Sequence, residues 1–325
     1  MDRLASQLVC GKQEDSHLRT AYGNTPDSLR WVNEYLDLAH GVIHRKDYGG
    51  SGQPIVMVHG LGGSIANWDL LGPRFSRYGH TVALDLPGFG LSPPGRDWSL
   101  QTHCNAIADM IEHMGGRAVL VGNSLGGLLS EIVASTRPDL VTALILISPA
   151  TPPRLPDPNI HWPTARRLLL HSTPGLGSTL SRRMLASMAP RQLINESLRR
   201  ITHKPGRVPV DMVESFVELA ERRSHLPWAA DAIPKTGQSI RRHFLKRSRY
   251  VAMIRAIKAP TLVVQGVEDP IVSRTSVEWL CALRPDWTLV QMEDTGHVPQ
   301  IDAGIRTWGE IEPWLESHLI REVTA

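Results

Sequence analysis

Short, largely apolar runs rich in β-branched residues punctuate the chain at 55–58, 81–84, 118–121, 141–147, 261–264 and 287–292. Runs of that length and kind read as parallel strands covered on both faces. Between them, 100–114 has apolar residues at helical spacing (Ile107, Met110, Ile111, Met114), and 125–136, 273–282 and 305–319 read as further helices. Ahead of the first run, 35–38 and 42–44 flank Gly41 as two short strands around a turn. Strand and helix in alternation predict an α/β fold: a mostly parallel sheet with helices on both faces.

At Ser148-Pro149 the rhythm breaks. The next hundred residues show no clear strand and carry proline at 152, 153, 156, 158, 163, 174, 190, 205, 209, 227 and 234. Short helices broken by loops are the expectation there. Charge shifts at the same place. Residues 151–258 hold 20 Lys and Arg against 7 Asp and Glu, whereas the whole chain holds 35 against 32. The expected organisation is an N-terminal arm over 1–34, a first core segment over 35–150, an inserted helical cap over 151–258 and a second core segment over 259–325.

The chemistry concentrates where strands end. Gly122-Asn123-Ser124-Leu125-Gly126 is a G-x-S-x-G between a strand and a helix, a context that holds a serine out on a sharp turn above a helix N-terminus. A serine hydroxyl needs a base, and His297 follows the last strand; Asp269 follows the one before it and is the orienting acid, with Glu268 as the local rival. Serine, acid, histidine is the chain order expected of such a fold. The oxyanion formed on attack needs donors placed in advance, for which the N–H groups of Leu125 and of Leu61, in the glycine-rich loop after His59-Gly60, are the candidates.

Four motifs in order resemble the α/β-hydrolase fold family over 35–319. They are His59-Gly60-Leu61-Gly62-Gly63, Asp85-Leu86-Pro87-Gly88-Phe89-Gly90-Leu91-Ser92, the segment 122–127, and Asp269 with Gly296-His297. The cap matches by position alone. Haloalkane dehalogenases and epoxide hydrolases of this family use an aspartate where Ser124 stands, and the latter use cap tyrosines, of which 151–249 has none. The elbow is similar to that of carbon–carbon bond hydrolases acting on meta-cleavage products, which usually carry Trp where Val298 follows the histidine. Cofactor-free perhydrolases share the triad, and some members of the family have become ligand receptors. The resemblance implies a carboxylic ester hydrolase, with a lipase acting on monoacylglycerol-like esters as one form of it, and neither cofactor nor metal.

Composition narrows the setting. Three cysteines, widely spaced, build no disulfide framework, and the first twenty residues hold Asp2, Lys12, Glu14 and Asp15 without an apolar run. A cytoplasmic protein is expected. The cap's arginine pairs, from Arg166-Arg167 to Arg241-Arg242, are interleaved with apolar residues such as Leu168, Leu169 and Leu170. Two readings fit: solvated helix faces with an apolar underside, or a lid that docks on an anionic membrane surface. No nucleic-acid-binding motif occurs.

Overall fold

The apolar runs pair into one sheet. The computed structural model describes residues 34–319, with eight strands in the order β1-β2-β4-β3-β5-β6-β7-β8. β1 (Glu34–Leu38) and β2 (Gly41–Asp47) form an antiparallel hairpin, and β2 runs antiparallel to β4 (His80–Leu84). β3 (Pro54–Val58), β5 (Ala118–Asn123), β6 (Val141–Ile147), β7 (Thr261–Gly266) and β8 (Thr288–Met292) continue the sheet in parallel with β4. Every residue of β5, β6 and β7 is buried, which their unbroken apolar character requires of strands with helices on both sides. The expected arm over 1–34 lies outside the described residues except for Glu34, which opens β1.

The helices outside the cap are α1 (Gly72–Phe75), α2 (Leu100–His113), α3 (Leu125–Thr136), α10 (Arg274–Ala282), α11 (Pro299–Asp302) and α12 (Gly304–Leu319). α1, α11 and a 3₁₀ turn at Ile65–Trp68 escape a periodicity reading because four residues show no period. The turn is set instead by a reciprocal cap between Ser64 and Asn67.

Between β6 and β7 the chain forms six helices: α4 (Trp162–His171), α5 (Leu176–Ser187), α6 (Pro190–Ile201), α7 (Val210–Ser224), α8 (Ala229–Phe244) and α9 (Arg247–Ala256). Pro190 opens α6, where its missing N–H costs nothing, whereas Pro234 lies inside α8, where a break was expected. Polar contacts tie this layer to the core: Arg223 donates to the carbonyls of Gly88 and Gly90, and Ser239 Oγ accepts from Leu100 N at 3.1 Å.

α9 sends two large side chains into the main core. Tyr250 and Ile254 are fully buried in the main core, and the Tyr250 hydroxyl donates to Glu131 Oε2 of α3 at 3.2 Å. Burial pushes the Glu131 carboxyl up to about 8, against the opposing pull of that hydrogen bond. An unfolded glutamate titrates near ~4.3, so above that pH folding must take up a proton. Stability from this site is fully present below the unfolded value and is lost as pH rises through the folded one. Urea unfolding between pH 5 and 9 is expected to show the parent losing on the order of a few kcal/mol over that window relative to Glu131→Gln. Parallel pH profiles for the two proteins would remove the buried acid from the account. Among the described residues no helix is long and apolar enough to cross a membrane.

Candidate active site

β3 has β4 on one side and β5 on the other, so the connections leaving β3 and β5 diverge and open a crevice at the carboxyl edge of the sheet. Ser124 stands there, between β5 and α3, with φ 54° and ψ −113°. That left-handed backbone is strained for any residue with a side chain, by roughly 1–3 kcal/mol. Two glycines make the turn possible by close approach. A Cβ on Gly126 would sit 2.0 Å from Val58 O, and one on Gly122 would sit 2.5 Å from the Gly126 carbonyl. Backbone hydrogen bonds from Ser124 N to Ile147 O (3.0 Å) and from Ala150 N to Ser124 O (2.9 Å) hold the turn to the end of β6.

The loop after β3 lies against this turn; a Cβ on Gly60 would be 3.1 Å from Ser124 Cβ. His59 shapes that loop. Its Nε2 accepts from Leu86 N at 3.0 Å, so Nδ1 carries the proton and donates to Gly60 O at 2.7 Å. Complete burial lowers its pKa, and the ring stays neutral. The N–H groups of Gly63, Ser64 and Ile65 are taken by Gly60 O, Asn67 Oδ1 and Asp85 Oδ1. No described hydrogen bond uses the N–H of Leu61, or that of Leu125 at the first position of α3.

Asp85 is the post on which the loop hangs. Its Oδ1 accepts from Ile65 N at 2.8 Å, and its Oδ2 accepts from Leu91 N at 2.8 Å and bonds His44 Nδ1 at 2.7 Å. Burial alone would raise this carboxyl, but the His44 contact and the Leu91 N–H outweigh it and hold the pKa below the usual range. A Cβ on Gly90 would overlap the carboxylate at 1.9 Å, which accounts for that glycine.

The carboxylate after β7 meets the imidazole after β8. Asp269 Oδ2 lies 2.8 Å from His297 Nδ1, with both side chains buried. Asp269 is itself fully held: Oδ1 accepts from Ile271 N (2.7 Å) and Val272 N (3.0 Å), and Oδ2 from Gln265 Nε2 (3.0 Å). Glu268 turns away and accepts from Thr295 N at 2.9 Å. Ser124 Oγ makes no hydrogen bond to the imidazole in this structure; what links the two segments is Asn123, whose Nδ2 donates to Ile147 O at 3.0 Å and His297 O at 3.3 Å. Such contacts are commonly loose without substrate and tighten when it binds.

Several positioning groups had no signal in the sequence reading. His297 N donates to Ile201 O at 2.7 Å, at the end of α6. Asp302, buried in α11, accepts from Gly296 N and His203 N, each at 2.7 Å, and from Lys204 N at 3.3 Å. Asp294 adds an exposed clasp with Lys204 and Arg207, whose hydrogen bonds, helped by their charges, hold its carboxyl down at about 2. The cap thus grips the histidine loop through its backbone. The one available hint was a carboxylate inside the apolar stretch 298–305. Among the described residues no group of three or more His, Cys, Asp or Glu side chains could hold a metal ion.

Comparison with known proteins agrees with this architecture. Residues 53–304 match the family model of the alpha/beta hydrolase fold. The chain is 26% identical over 278 residues to Lipase 1 of Psychrobacter immobilis, covering 82% of this chain and 79% of that one. It is 27% identical over 300 residues to 2-hydroxymuconate semialdehyde hydrolase of Pseudomonas sp. strain CF600, covering 87% and 93%. Among solved structures, Cfl2 of Burkholderia cenocepacia superposes with a TM-score of 0.73 at 20% identity, covering 87% of this chain and 95% of that one. The chain is a hydrolase of the α/β-hydrolase fold family.

Proposed function

We propose that this protein hydrolyses a carboxylic ester through an acyl-enzyme. Ser124 attacks the ester carbonyl while His297 Nε2 takes its proton. Asp269 fixes the proton on Nδ1 and stabilises the imidazolium, and the N–H groups of Leu61 and Leu125 receive the oxyanion. His297 then protonates the leaving alcohol, and water repeats the sequence to release the acid. The observation that carries this reading is the buried Asp269–His297 hydrogen bond at the sheet edge where Ser124 stands on its strained turn. The similarity to Lipase 1 points to the same chemistry, with an apolar acyl group as substrate.

Carbon–carbon bond hydrolysis is the second reading, favoured by the similarity to the semialdehyde hydrolase over most of both chains. A panel of p-nitrophenyl esters of increasing acyl length, run beside a monoacylglycerol and a meta-cleavage dienoate, separates the two. Esters are expected to turn over, and rapid fluorophosphonate labelling to fall on Ser124. Consumption of the dienoate with every ester untouched would replace the first reading by the second. An inert serine in folded protein would replace both with a binding role.

A further inference from the structure

α4 buries no side chain. Trp162 is 58% exposed, Leu169 55% and Leu170 47%, and their i, i+7, i+8 spacing sets them on one face of the helix. Leu176, at the start of α5, is exposed as well. A surface helix ordinarily turns such a face inward; here it meets solvent. The charge of the nearby chain is mostly of one sign, with Glu196 near Arg167 and Asp231 near Arg182 as the exceptions. Between Asp157 and Glu196 the chain carries Arg166, Arg167, Arg182, Arg183 and Arg191 and no carboxylate. Arg166, four residues after Trp162, falls on the exposed face itself.

Charge decides what covers this face. Two copies meeting there about a twofold axis would set each Arg166 and its arginine neighbours against their own kind. An anionic lipid surface takes both halves of the pattern, apolar side chains at the acyl boundary and guanidinium groups at the phosphates. We propose that α4 is an interfacial anchor that lays the cap on an anionic lipid surface. The anchor lies close to the candidate site. Ser172, just past α4, lies 3.4 Å from the Cβ position of Gly237 in α8, and Ile233 of α8 reaches to 3.0 Å from that of Gly62, beside Leu61. Docking would therefore bring the loop after β3 within one helix layer of the lipid. Its use in catalysis rests on the ester-hydrolase reading; the docking does not.

Vesicle co-sedimentation of the full chain carrying Ser124→Ala tests the anchor apart from turnover. Binding to phosphatidylcholine vesicles containing phosphatidylglycerol is expected to exceed binding to phosphatidylcholine alone by about 10-fold, and to fall at high salt. Replacing Trp162, Leu169 and Leu170 together by Ser should lower it by about 10-fold with thermal unfolding unchanged. Should that variant fail to fold, Arg166→Glu, which reverses one exposed charge, should lower it by roughly 10-fold. The proposal is overturned by absence of binding to the anionic vesicles, by binding that these variants retain, or by a solution dimer that the triple substitution dissociates.

Discussion

Ser124→Ala is expected to lower ester turnover by roughly 10⁴–10⁶-fold while leaving unfolding within about 0.5 kcal/mol of the parent. The first half follows from the proposed mechanism: without the hydroxyl no acyl-enzyme would form, and only the Leu61 and Leu125 donors and substrate binding would remain to assist water. The second half follows from the turn. The strain at φ 54° belongs to the backbone and to any Cβ, so alanine keeps it. All three backbone hydrogen bonds of Ser124, to Ile147, Ala150 and Leu128, persist, and its Oγ contributes no described hydrogen bond to the fold. Initial rates on a p-nitrophenyl ester beside a urea melt check both halves. Retained turnover would place the nucleophile elsewhere.

Asp269→Asn should cost about 10⁴-fold in kcat, and Glu268→Gln only a few-fold. An asparagine at 269 can keep its carbonyl oxygen on the Ile271 and Val272 N–H groups. Its amide then faces two donors, Gln265 Nε2 and His297 Nδ1–H. The imidazole escapes that clash by moving its proton to Nε2, the atom that accepts from Ser124 in the proposed mechanism. Glu268 meets the Thr295 N–H through one oxygen, which a glutamine supplies equally well. Single-turnover rates on both variants separate the carboxylates. A larger loss in Glu268→Gln would reverse the assignment.

Much of the scaffold was legible in the chain. The runs at 141–147 and 125–136 became β6 and α3 without a shift of boundary, because a strand covered on both faces must be apolar throughout and a helix beginning at the elbow has its start marked by the motif. The elbow's glycines were legible as a pattern, but their reason was not. Gly126 is small because Val58 O, 68 residues earlier, sits where its side chain would be. Asp85 was legible as part of a motif; that it holds Ile65, Leu91 and His44 at once depends on three segments meeting. The cap was legible as helical by texture, while Pro234 inside α8 shows that propensity yields when packing supplies the difference.

Sequence alone determined the fold class, the order of strands and helices, and which residue types stand at strand ends, since periodicity and turn chemistry act between near neighbours. The sequence already favoured Asp269 over Glu268; tertiary structure decided how the two part, Asp269 toward the imidazole and Glu268 toward the Thr295 N–H. It also decided that Ile201 and Asp302 hold the histidine loop, and that α4 turns its tryptophan and leucines outward. Each of those outcomes depends on which backbone atom of a distant segment arrives within about 3 Å, a distance that hydrogen bonds and packing require and that no local pattern encodes.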